Sequence, residues 1–153
     1  MAFWDASAVV PLCVRQRSTS QVRRILREHS RLVVWWGTSV EVRSALARLA
    51  FEGTLSAEEL RQAREGLDRV RRTWAEVVPT EQLRRLAEPL PDAHRIRAAD
   101  AVQLAAALVW CRERPRRRPF VCFDDRLAEA AEQIGFSVVG ARAGAARRRD
   151  TSI

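Results

Sequence analysis

Apolar positions along the chain come in two rhythms, short runs that suit strands and longer stretches with a helical period. Residues 2–5, AFWD, read as a short buried strand feeding a helical segment that Pro11 interrupts. A second helix is expected from about Ser18 to His29, with Val22, Ile25 and Leu26 on one face. RLVVWW at 31–36 is a β-branched and aromatic strand that ends at Gly37. Thr38 then opens a helix running past Arg48 and Leu49 to a stop at Gly53.

The clearest helix follows. Ser56 and Glu59 have the spacing of a capping box, and Leu60, Ala63, Leu67, Val70 and Trp74 recur at intervals of three and four. With the preceding helix it makes an αα-hairpin with arginines outside. AEVVP is a short strand, and Thr80 caps a helix ending near Pro89 and Pro91. RAADAVQLAAALVWC, 97–111, is a helix apolar nearly all round, and it stops before RPRRRP. PFVCF at 119–123 is a strand, Asp125 to Gln133 a helix, and FSVVG a last strand. Strands alternating with helices predict a parallel α/β sheet covered on both faces, with sites at the carboxyl ends of strands. A single domain over 1–140 is expected, followed by a basic tail, 141–153, expected to be disordered.

Composition narrows the partners. Of 153 residues 47% are hydrophobic, with only 6 Gly and 6 Pro, which favours a folded domain over a disordered chain. The net charge of +8 points to a polyanionic partner such as nucleic acid, although a solvated basic face needs no ligand at all. All 27 basic residues are Arg. Without lysine, a Walker A loop, a pyridoxal Schiff base and the lysine-dependent aspartyl-phosphate folds are excluded. An acid phosphatase with an aspartyl nucleophile is further disfavoured because DAS, at 5–7, lacks the second Asp of a D-x-D motif. Cys13, Cys111 and Cys122 are too scattered for a disulfide framework or a thiolate zinc site. The amino terminus has no basic region ahead of its apolar run, and no run spans a bilayer, so a cytoplasmic protein with no membrane partner is expected.

Four acids then stand out, each with a structural reading of its own. Asp5 follows the first strand and Asp124 the fourth, and either can simply cap the helix after it. Glu41 stands in T-x-x-E after Thr38, itself a capping box. Asp100 is hardest to explain structurally, because an ionised carboxylate in an apolar helix is costly unless compensated; a dipole role at the first turn is its alternative. Converging carboxylates repel unless a cation lies between them. Hard Mg²⁺ or Mn²⁺ bound by such oxygens supplies what phosphodiester hydrolysis needs: an activated water and a sink for negative charge.

WDASAVVPL, TSVEVRSALARL, IRAADAVQLAAAL and FVCFDDRLAEAAEQIGFSVV, in that order, resemble the PIN domain and within it the VapC-type toxin ribonucleases, from residue 2 to about 140. The resemblance implies a three-layer α/β/α sandwich on a mostly parallel sheet, metal-dependent cleavage of RNA to 5′-phosphate and 3′-hydroxyl products, and a cognate antitoxin protein. It assigns catalysis to Asp5, Glu41, Asp100 and Asp124. Asp5, Asp100 and Asp124 would hold Mg²⁺ or Mn²⁺, while Glu41 completes the shell or orients water. Ser7 matches a small hydroxyl near the first Asp and a supporting hydrogen-bond role. Asp125 stands where a basic or polar residue is more usual and reads as an accessory acid or a cap. Cys122 replaces a common Thr or Ser, and Gln103 a frequent His, leaving an amide to bind substrate or water.

Arg97, Arg126 and Arg43 are expected to hold the RNA backbone, from their closeness in sequence to the acids. A homodimer is also expected, and the adjacent Trp35 and Trp36 leave room for an exposed apolar patch. The competing reading is a non-catalytic nucleic-acid or protein-binding module on the same fold, motivated by Cys122 and by the capping-box reading of Glu41.

Overall fold

Successive residues of a strand face opposite sides of its sheet, and here each set meets its own core. The computed structural model describes residues 1–140; the basic tail expected at 141–153 lies outside them. Ala2, Trp4, Leu32, Val34 and Val121 are buried on one side, among Val9, Val22, Val42, Leu46 and Leu67. Phe3, Val33, Phe120 and Cys122 are buried on the other, among Leu83, Leu104, Leu127 and Ala131.

The strands are β1 (Ala2–Trp4), β2 (Leu32–Trp35), β3 (Ala75–Val77), β4 (Pro119–Cys122) and β5 (Ser137–Gly140), all parallel in the order β3-β2-β1-β4-β5. Helices α1 (Ala6–Cys13), α2 (Thr19–Glu28), α3 (Thr38–Phe51) and α4 (Ala57–Arg71) cover the first face. The second is covered by α5 (Glu81–Ala87), α6 (Leu90–His94), α7 (Ala98–Trp110) and α8 (Asp125–Ile134). This is the three-layer α/β/α sandwich of a PIN-like fold, with a sheet that is wholly rather than mostly parallel. Among the described residues no helix is long and apolar enough to cross a membrane.

The chain departs from its sequence reading at several points. Pro11 lies within α1 without interrupting it. It removes only one hydrogen bond near the end of a short helix, and its ring is buried in the core. The helix that Thr80 caps ends at Ala87, ahead of Pro89 and Pro91 as expected, but a further short helix, α6, starts there, because Pro is tolerated in a first turn. Trp74 lies past the end of α4; its ring packs on the same core and its indole N–H donates to Glu76 Oε1 at 2.9 Å. The Ser56–Glu59 capping box forms, but the one proposed from Thr38 to Glu41 does not. Gly37 is the N-cap of α3, Thr38 is fully buried, and both side chains turn to α7 instead.

Candidate active site

From β1 the chain crosses to β2 on one side, whereas β4 enters on the other, so the carboxyl ends of β1 and β4 flank a switch in strand order. Crevices at such points are where open α/β sheets take ligands. The pairing of Phe3 with Phe120 and Trp4 with Val121 brings Asp5 and Asp124 to this edge. The Asp5 amide donates to Val121 O at 3.0 Å and closes the crevice floor.

A cleft of about 400 Å³ opens there, lined among others by Asp5, Ser7, Glu41, Asp100 and Asp124. Asp5 is the N-cap of α1 and accepts from the Ser7 amide at 2.9 Å. It is only 4% exposed, and burial pushes its carboxyl up to about 6, opposed by the Ser7 bond and reinforced by Asp100. Glu41 projects from the first turn of α3; burial, then the charge of Asp5, pushes it up to about 7. Asp100 occupies the first turn of α7, half-buried rather than immersed in the apolar body, and accepts from the Arg97 amide at 3.3 Å. Its carboxyl is raised, first by burial and then by Asp124, while the Arg97 amide and the Arg97 and Arg126 charges pull it down. Asp124, exposed at the rim, caps α8 through a 2.9 Å bond from the Leu127 amide.

The capping readings and the cleft are therefore not exclusive. Asp5, Asp100 and Asp124 each stand at a helix amino terminus, where the helix dipole favours negative charge. The fold uses three helix starts to aim three carboxylates at one space.

Behind the acids, fully buried Gln103 donates from Nε2 to Glu41 Oε1 at 3.1 Å and to Thr38 Oγ1 at 3.2 Å. Its own Oε1 is buried without a partner. Ser7 Oγ accepts from the Phe123 amide at 2.9 Å and ties α1 to the end of β4. Cys122 is buried, with Sγ accepting from the Asp124 amide at 3.3 Å and lying 3.9 Å from Asp5 Oδ2. Burial pushes its thiol up, out of the range of a reactive thiolate.

Asp125 does not line the acidic cleft; it lies in the first turn of α8 and borders a neighbouring cleft with Arg97 and Arg126. Arg43 lines neither cleft and pairs with Asp68 at 3.2 Å on the α3–α4 surface. Arg48 and Gln16, which the sequence reading passed over, line the acidic cleft. Arg48 had a signal: it lies seven residues after Glu41, two helical turns along, hence on the same face. Gln16, in the loop after α1, had none.

Among the described residues, no three His, Cys, Asp or Glu side chains are drawn together closely enough to hold a metal ion. Three of the acids instead spend an oxygen on a local amide. The donor set still fits a hard divalent cation: carboxylate oxygens on one cleft, with room for retained waters, and Asp5, Glu41 and Asp100 each raised first by burial and then by a neighbouring carboxylate.

No protein-family model matches the chain, and no curated protein sequence does. A chain in a solved structure of FitAB bound to an IR36 DNA fragment superposes with a TM-score of 0.62. The two are 15% identical, and the match covers 92% of this chain and 94% of that one. A likeness at that identity speaks for the fold alone.

Proposed function

We propose that this protein is a metal-dependent RNA endonuclease acting as the toxin of a toxin–antitoxin pair. The observation that carries the reading is the single cleft lined by Asp5, Glu41, Asp100 and Asp124 at the switch in strand order. Asp5, Asp100 and Asp124 are the residues to hold Mg²⁺ or Mn²⁺. An ion held there would supply a water of lowered pKa and would neutralise charge developing on the scissile phosphate. Glu41, held up near 7, is poised to accept a proton from the attacking water near neutral pH. Gln103 fixes the direction of Glu41 and Ser7 fixes the loop that carries Asp124; Arg97 and Arg126, which border the adjoining cleft, are the residues to hold the phosphate backbone.

An antitoxin and a second copy of the chain are the proposed protein partners. Supporting surfaces are exposed Trp36, Val40 and Val78 and an apolar groove of about 540 Å³ bordered by Trp35, Leu83, Ala87 and Val102. The likeness to FitAB, solved on DNA, accords with a partner that binds DNA. The competing reading, a binding module without catalysis, draws support from Cys122 in place of a hydroxyl and from the unconverged carboxylates.

Incubating the purified chain with RNA and Mg²⁺ separates the two. The nuclease reading expects cleavage that stops with chelator and is lost in Asp5→Ala and Asp100→Asn. Equal cleavage by those variants overturns the site; metal-independent RNA affinity with no cleavage favours the binding module.

A further inference from the structure

Asp100 and Asp124 line two adjoining clefts at once. On one side lies the acidic cleft of about 400 Å³, whose cation is Arg48. On the other lies a cleft of about 570 Å³ that Arg95, Arg97 and Arg126 border. Arg95 and Arg126 also border a third hollow of about 550 Å³, where Glu129 and Gln133 lie beside them. The acid cluster is thus a divide with guanidiniums on both sides.

Two details describe how these arginines are held, the second shared with Arg112 and Arg117. No salt bridge engages Arg48 among the described residues, whereas Arg43, five residues before it, is held by Asp68. Arg95 ends α6 in the left-handed region, φ 54° and ψ 40°, where Gly or Asn is the unstrained choice. A side chain there costs about 1 kcal/mol, and what this position adds is a guanidinium at the mouth of the cleft.

Resting on the nuclease reading above, we propose that these clefts form one through-running track for a single-stranded polynucleotide. Arg48 binds a phosphate on one side of the scissile bond, and Arg95, Arg97 and Arg126 bind phosphates on the other. Anchors on both sides require chain to continue in both directions, so the cut is internal and no strand end is recognised. Asp5 is nearly closed off on the cleft floor, and a flexible strand threads to it where a stiff duplex does not.

Salt-dependent binding of a fluorescent, unstructured RNA to the metal-free protein tests the track without relying on catalysis. Each phosphate contact on a single strand contributes about 0.7 to the slope of log K against log salt. Arg48→Ala is expected to lower the slope by about 0.7, and Arg95→Asn with Arg97→Ala and Arg126→Ala by about 2. Arg43→Ala leaves it unchanged, and a duplex of equal length binds more weakly. The proposal is overturned if only one side changes the slope, if Arg43→Ala matters as much, or if the duplex binds as well. Cleavage of an internally labelled RNA with Mg²⁺ is read separately. Slopes that behave as expected without any cleavage sink the nuclease reading and leave the track; cleavage with unaltered slopes does the reverse.

Discussion

Gln103 donates a 3.1 Å hydrogen bond to Glu41, an amide on α7 holding a carboxylate on α3 in the cleft. The same nitrogen serves Thr38, and the amide's oxygen is left buried without a partner. An orphaned polar atom in the interior is destabilising, so this residue is retained at a cost to the fold. Gln103→Leu removes the orphan together with the two bonds, and the changes offset. We expect unfolding free energy to move by no more than about 1 kcal/mol while RNA cleavage falls about 10- to 100-fold, as for other groups that orient a reacting side chain. Paired thermal melts and cleavage rates check the split; a loss of both in proportion would make Gln103 a packing residue.

Asp5→Asn goes further in the same direction. Asparagine caps a helix as well as aspartate, so the bond from the Ser7 amide has a replacement acceptor. The substitution removes a carboxyl that burial has pushed up to about 6. In metal-free buffer near pH 7.5 the variant is expected to be more stable by about 1–2 kcal/mol, or ~3–6 °C in Tm for a domain of this size. Cleavage is expected to fall by at least ~100-fold. A variant less stable than wild type in the absence of metal would mean that Asp5 serves the fold first.

The sheet was legible because its strands are short, β-branched or aromatic, and separated by helix-length segments, and their ends place Asp5 and Asp124. What could not be read were contacts made across the sequence. T-x-x-E predicts a local bond between Thr38 and Glu41, yet both side chains turn to Gln103, 65 and 62 residues away. Tertiary hydrogen bonding overrode the local motif, and Gly37 caps α3 instead. Asp100 looked stranded in an apolar helix because composition does not reveal depth; its place in the first turn leaves it half-buried at the cleft. Arg43 is nearer Glu41 in sequence than Arg48, yet helical phase decides between them, turning Arg48 toward the acids and Arg43 toward Asp68.

The raised carboxyls also set a pH dependence. Asp5 rises from 3.8 to about 6 and Glu41 from 4.5 to about 7. When the folded state binds protons more tightly than the unfolded chain, stability is full below the unfolded pKa and declines as pH climbs through the folded one. In the metal-free protein these two groups therefore favour the fold at about pH 4 and lose that contribution by about pH 7, worth about 3 kcal/mol at Asp5 and less at the part-exposed Glu41. Saturating Mg²⁺ binds the ionised form and is expected to flatten the decline. Tm measured across this range with and without Mg²⁺ reads both effects. A metal-free protein that stabilises from pH 4 to 7 contradicts the burial of Asp5.

Gly140 tests how tightly the site is built into the sheet. It closes β5 opposite Cys122, with φ 148°, and a Cβ placed on it would stand 1.8 Å from the Cys122 carbonyl oxygen. Backbone cannot yield there without shifting the end of β4, which leads into Asp124 at the cleft. Gly140→Ala adds one methyl group far below contact distance and puts a side chain in a conformation that disfavours one. The expected cost is about 3 kcal/mol, at the upper end of overpacking, with cleavage lowered further than stability alone explains because Asp124 moves with its strand. Gly53→Ala is the matched control. It too has a positive φ, 74°, but a Cβ there meets nothing within 4 Å. It should cost only about 1 kcal/mol and leave cleavage by the folded fraction untouched. Equal losses in the two variants would assign the effect to backbone strain and remove the steric link between β5 and the site.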